Sequence, residues 1–325
     1  MGRAIRIEDD DAVRHLVLCR PDEFNTITVE LRDELDAALD AAEWDRDVKV
    51  VFLRAEGRSF CAGFGLDWST VAQASADGRV DLQAQLGREG SGPRPGDDTA
   101  AVGAIDAPTE RRRAGLGPRP GDERVWDSVA DVQMIGRFGN TFAKLHSISK
   151  PTVAAVQGWC IAGGTDMVLN ADVIVAGESA RFGYPPARVW GVPEAPWVWV
   201  ARLGLERAKR YLFTGDEFTA AEAADAGMIL ECVPDDELAE HSLALARRMA
   251  QLPLNQLQMM KWMLNDVAHH QYQPDTSRLL GFLFDGVARH TQEGLDFVNR
   301  AQEVGWREAV RERDRPFGDY GERPR

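Results

Sequence analysis

Residues 156–172 read VQGWCIAGGTDMVLNAD, and how the chain turns inside that stretch decides how the rest is read. An apolar run over 151–156 predicts a strand that ends in Gly158. The pair Gly163-Gly164 then opens a short apolar helix over 165–171, with Asp166 in its first turn. Glycines let backbone approach a ligand closely, and the first N–H groups of a helix have no acceptor within it. Such groups suit a developing negative charge. A glycine pair also permits a helix to pack tightly on a strand, and an acid in a first helical turn is favoured by the helix dipole whatever its use. On this stretch alone both readings stand.

Working outward, 325 residues suffice for one large core with a smaller appendage. Apolar residues make up 44% of the chain, as in a globular protein. A net charge of −14 argues against general binding to nucleic acid or an anionic membrane, both of which need a positive field. Any anionic ligand must therefore be met by a local basic patch. Cys19, Cys61, Cys160 and Cys232 form no CxxC pair, and the histidines, His269-His270 among them, show no metal-binding spacing. Neither a disulfide framework nor a metal site is expected. With no signal-like N-terminus and no apolar run near membrane length, the expectation is a soluble protein of a reducing, cytoplasmic compartment.

Ile5, Ile7, Val13, His15 and Val17 alternate about Asp9-Asp10-Asp11, which predicts an antiparallel hairpin. Leu31, Leu35, Leu39 and Ala42 fall at helical spacing, with Thr28 placed to cap. The run KVVFL over 49–53 suits a strand covered on both faces, and a second glycine-bearing loop follows it, Ser59 to Asp67. Between about 87 and 124 the chain is rich in Gly, Pro, Arg and Asp and repeats GPRPGD, at 92–97 and 117–122. That composition predicts a mobile insertion rather than a domain. A helix over about 129–150, a strand over 172–176, a capping box at Thr219 and Glu222, and a short strand over 228–233 follow. Helices over 238–252, 254–267 and 276–310 carry broad apolar stripes, which point to core or subunit interface.

Taken together, RPDEFN over 20–25, RSFCAG over 58–63, GWCIAGGTD over 158–166, RFG over 181–183 and GVP over 191–193 resemble, in order and spacing, the crotonase or enoyl-CoA hydratase/isomerase superfamily. The resemblance covers nearly the whole chain except the insertion and a stretch near 301–314. It implies an α/β fold, a spiral of ββα units over 1–200, followed by a helical segment over 201–325 that builds homotrimers, commonly paired into hexamers. It also implies an acyl-CoA substrate, with coenzyme A as part of the substrate and no separate cofactor.

By position the resemblance puts an oxyanion hole on the backbone N–H groups of Phe64 and Gly163, with Ala62, Gly65, Gly164 and Trp190 around the substrate. Typical hydratases carry two glutamates; the first falls on Asp166 and the second on Pro186, which can neither take nor give a proton. Glu194 stands where some members, notably dienoyl isomerases, carry a catalytic acid, so Asp166 and Glu194 are the expected acid/base pair. Asp22 replaces a usual basic residue, which leaves the CoA phosphates to other groups, Arg58 or a neighbouring subunit's C-terminal helix. Hydration of a 2-enoyl-CoA is the leading expectation. Double-bond isomerisation, thioester or carbon–carbon hydrolysis, and acyl-CoA binding without turnover are the alternatives.

Overall fold

The run KVVFL becomes the middle of a sheet covered on both faces, and the computed structural model, describing residues 3–66 and 128–320, is built around that sheet. β1 (Ile5–Asp10) and β2 (Val13–Leu18) form the expected hairpin, Ile5 opposite Leu18 and Asp10 opposite Val13, with Asp11 left-handed at the turn. Thr28 caps α1 (Val29–Trp44) by accepting a hydrogen bond from the Leu31 N–H at 3.2 Å. β3 (Val50–Ala55) then pairs parallel with β2. Its residues alternate between two buried faces: Val51 and Leu53 join the main core, Val50 and Phe52 a second cluster beneath a C-terminal helix. The insertion expected over 87–124 lies outside the described residues.

α2 (Ser128–Ser147) leads to β4 (Thr152–Val156), β5 (Trp159–Ile161), α3 (Gly163–Val168), β6 (Val173–Gly177) and β7 (Arg181–Gly183). Next come α4 (Pro196–Leu203), α5 (Leu205–Thr214), β8 (Phe218–Thr219), α6 (Ala220–Asp225) and β9 (Glu231–Val233). The large sheet has the order β1-β2-β3-β4-β6-β9, parallel apart from its first pair, and the small sheet has the order β5-β7-β8. β4 and β6 each pass from the large sheet into a partner strand in the small one, so the chain winds as a spiral. Gly158 makes one corner at φ +54°, where an added Cβ would stand 1.8 Å from the Arg58 carbonyl oxygen. Only glycine fits there.

Five more helices finish the chain: α7 (Leu238–Ala250), α8 (Leu254–Tyr272), α9 (Pro274–Ala288), α10 (Gln292–Val304) and α11 (Trp306–Asp314). The single helix expected over 276–310 is broken twice. Thr291 caps α10 by accepting from the Gly294 N–H at 3.3 Å, and Gly305, at φ +86°, separates α10 from α11. The unit boundary expected after residue 200 falls inside α4, and β9 beyond it completes the large sheet while α7 covers that sheet's second face. No helix among the described residues is long and apolar enough to cross a membrane.

Candidate active site

Two loops, each leaving the sheets at a glycine, meet at one place. In the first, the Ile27 N–H donates to the Gly63 carbonyl at 2.8 Å and Ile27 bridges Phe64, which fixes the path of 63–65. In the second, the Ala162 N–H donates to the Gly183 carbonyl at 3.0 Å, and the Ala162 carbonyl accepts from the Thr165 and Asp166 N–H groups at 2.9 and 3.2 Å. Gly163 and Gly164 therefore begin α3, with Ala162 held at φ +53°, ψ −126°. That conformation costs a non-glycine residue about 1–3 kcal/mol and persists only where its surroundings fix it. A bridge between Cys61 and Cys160 ties the two loops together. A methyl added to Gly63 would lie 2.8 Å from the Ala162 Cβ and 3.4 Å from the Gly163 nitrogen; one added to Gly163 would strike the Phe64 ring at 2.6 Å.

These loops form one wall of a cavity of about 160 Å³. Ala62, Phe64, Ile161 and Gly163 lie on this wall, facing Tyr184, Pro186, Trp190 and Glu194. The C-terminal helices close the space with Asp285 and Arg289, Phe297, Val310 and Arg313. Of the residues expected at the substrate, Ala62 and Trp190 are on the wall. Gly65 and Gly164 do not line it. The Gly65 N–H is spent on the Ile27 carbonyl at 3.3 Å, and an added Cβ on Gly164 would lie 2.6 Å from the Cys61 carbonyl oxygen, so that glycine serves tight packing.

Asp166 and Glu194 come together beside the cavity. Asp166, 1% exposed, accepts the Glu194 backbone N–H at 3.1 Å through Oδ1. Glu194, 2% exposed, is the one of the two that lines the cavity. Neither of its carboxyl oxygens, nor Asp166 Oδ2, has a hydrogen-bond partner among the described residues. Burial drives the Glu194 pKa well up, and the nearby Asp166 and Asp285 charges push it further while Arg289 opposes them. Burial raises Asp166 as well, with the Glu194 N–H acting the other way.

Tyr184, Asp285 and Arg289 went unnoticed in the sequence. Asp285 accepts the Val192 N–H at 3.1 Å and faces Arg289 at 3.4 Å, one turn along α9. Its signal was present: it is the lone charge in LLGFLFDGVA over 279–288, where an acid in an apolar stripe needs a partner, and Arg289 follows at i+4. Gly139 and Gly281 make room for this arrangement. An added Cβ on Gly139 would meet the Phe282 ring at 2.2 Å and Glu194 Oε2 at 2.8 Å, and one on Gly281 would meet the Pro193 carbonyl oxygen at 2.5 Å.

Two glycine loops in contact over a cavity holding a buried carboxyl define an enzyme of the crotonase superfamily. The chain belongs to the enoyl-CoA hydratase/isomerase family, whose sequence profiles match residues 13–89 and 129–303. An enoyl-CoA hydratase from Mycobacterium smegmatis of known crystal structure is 37% identical, with a TM-score of 0.79 over 99% of this chain and 97% of that one. The 1,2-epoxyphenylacetyl-CoA isomerase of Escherichia coli K12 is 26% identical over 79% of each chain. The 2,3-dehydroadipyl-CoA hydratase of the same organism is 35% identical over 111 residues, 34% of this chain and 44% of that protein's length.

Proposed function

We propose that the chain adds water reversibly across the double bond of a 2-enoyl-CoA. The observation that carries this reading is Glu194: a buried carboxyl with neither oxygen partnered among the described residues, on the wall of the cavity that the Phe64 and Gly163 loops also line. As water attacks C3, Glu194 takes its proton. Electrons move from the double bond toward the thioester oxygen, and the resulting enolate is held by the N–H groups of Phe64 and Gly163. Charge on that oxygen is greater in the transition state than in the substrate, so fixed donors there lower the barrier. Glu194 then returns the proton to C2. Water has been added and the carboxylate restored, so Pro186 is not required to carry a proton. Asp166 fixes the Glu194 backbone and, by its charge, makes Glu194 a stronger base.

The subunits assemble through α8 and α9. Met259, Trp262, Met263, Leu264 and Val267 of α8, with Leu279, Leu283 and Phe284 of α9, are exposed. An apolar face that large is covered by another copy of the chain, as a trimer or a hexamer.

The experiment mixes purified protein with crotonyl-CoA and longer 2-enoyl-CoAs, following the enoyl absorbance and the product mass. The expected product is heavier by one water. An unchanged mass, a cleaved thioester, or no reaction at any chain length would refute hydration. A single-subunit mass in solution would refute the assembly.

A further inference from the structure

The property that singles out Glu194 recurs at a second place. Nine buried side-chain atoms have no hydrogen-bond partner among the described residues. Three are carboxyl oxygens of Asp166 and Glu194, and three more, Asn170 Oδ1, Trp197 Nε1 and Arg278 Nε, belong to residues that line one other cavity. That cavity, of about 330 Å³, lies between the end of α2, α4, α8 and the start of α9, and none of its described lining residues belongs to the cavity beside Glu194. We propose that it is a separate binding site for a small, neutral, ring-bearing carboxamide. The site stands whether or not the chain hydrates enoyl-CoA.

Donors and acceptors decide the ligand. Asn170 is 3% exposed, and its Nδ2 donates to the Asp166 carbonyl at 2.7 Å, which makes Oδ1 the end left to accept. Trp197, 8% exposed, and Arg278 each offer one N–H. An amide carbonyl has two lone pairs for those two donors, and an amide N–H supplies what Asn170 Oδ1 takes. A carboxylate has no proton to give, so it leaves that acceptor unmet. It would also enter a lining with two carboxylates, Asp266 and Asp275, against the guanidinium of Arg278, which Asp275 already holds at 2.6 Å. A ring suits the walls, where the His146 imidazole packs edge-to-face on Trp197 with centroids 4.9 Å apart and Trp262 stands on α8. Burial pushes the His146 pKa down to about 4, so that ring is neutral near pH 7. Through Asn170 the site adjoins α3, the helix that carries Asp166.

Calorimetric titration of the full chain with benzamide, N,N-dimethylbenzamide and benzoate tests this. Benzamide is expected to bind one site per chain, about 10-fold more tightly than benzoate or the dimethyl amide, which keeps the carbonyl and lacks the N–H. Trp197→Phe, which keeps a ring and removes the N–H, and Arg278→Met are each expected to weaken benzamide about 3- to 10-fold. Arg278 is partly exposed, so its variant keeps the test available should Trp197→Phe fold poorly. No benzamide binding at millimolar concentration overturns the proposal. So do equal affinities for benzamide and its dimethyl analogue, and so does a benzamide affinity that both variants leave unchanged, which would put the probe elsewhere. Because Trp262 also stands on the exposed apolar face of α8, a crystal structure with benzamide supplies the last check. Benzamide bonded to Asn170 and Trp197 supports the site; a neighbouring subunit's side chain, or water alone, in its place overturns it.

Discussion

Replacing Gly63 by alanine separates two demands that one residue meets. The backbone there sits at φ +88°, and a new Cβ would lie 2.8 Å from the Ala162 Cβ, 3.2 Å from the Ile161 carbonyl oxygen and 3.4 Å from the Gly163 nitrogen. Each of these three neighbours belongs to the loop that presents Gly163, and that loop cannot yield without moving its amide. The left-handed backbone alone costs about 1–2 kcal/mol. Pushing the loops apart adds overpacking of about 1–3 kcal/mol. Displacing one oxyanion donor lowers kcat about 100- to 1,000-fold. Gly204 supplies the control: its φ is +74° and an added Cβ meets nothing within 4 Å, so Gly204→Ala carries the backbone penalty without the contact. Hydration of crotonyl-CoA, followed by loss of enoyl absorbance, and denaturant unfolding are to be measured on both variants. Both are expected to lose stability, and Gly63→Ala alone to lose kcat beyond tenfold. A folded Gly63→Ala protein with wild-type kcat would show that the two loops do not act on one oxygen.

Glu194→Gln should reduce kcat about 100- to 10,000-fold, the usual worth of a positioned acid/base, in a protein that still folds. The same variant tests the charge state by its stability. The folded pKa of Glu194 lies above its unfolded value, so its contribution is complete at acid pH and is lost as pH rises through the folded pKa. Denaturant midpoints should therefore match at acid pH, with the variant gaining on wild type toward alkaline pH. The acid limb of the kcat profile should fall above the ordinary glutamate range, because water activation needs the ionised form. Asp285→Asn removes a charge that raises Glu194, so that limb should move to lower pH; a limb that stays in place would exclude Glu194 as its source. Asn25→Ala should cost about 2–4 kcal/mol of unfolding free energy. Its buried side chain accepts from the Arg20 N–H at 2.9 Å and donates to the Glu56 and Ser59 carbonyls at 3.0 Å.

Local rules carried much of the fold. The hairpin at Asp11, the Thr28 cap and the Thr219 capping box were legible because each is decided by side chains within a few residues of one another. The five motif blocks were legible together, where a single glycine pair was not. Longer-range facts were less accessible. Gly164 and Gly163 look alike in sequence, and their different duties follow from Cys61, about a hundred positions earlier, pressing on only one of them. Asp285 meets the Val192 amide across nearly as great a separation, with Arg289 beside it on α9. The sequence supplied the oddity of a charge in an apolar stripe, and only packing shows which loop it braces.

Partner satisfaction separates the acids withdrawn from water into two groups. Asp131 meets His290 at 2.9 Å, Asp285 has the Val192 N–H and Arg289, and the carboxyl of Asp172 pairs with Lys261 at 2.7 Å and Thr152 at 2.7 Å. Each is compensated for leaving water, as a structural ion pair must be. Glu194 lies in the same interior with neither oxygen satisfied among the described residues, next to an Asp166 with one. A buried acceptor left so costs about 1–3 kcal/mol, and more when charged. A Cβ added to Gly281 of α9 would meet only main-chain atoms of Pro193 and Glu194, so that close approach is made to backbone and not to the carboxyl. A glutamine would fill the same volume at lower cost, and under the proposed hydration the carboxyl does what an amide cannot, which is to exchange a proton with the substrate in the cavity.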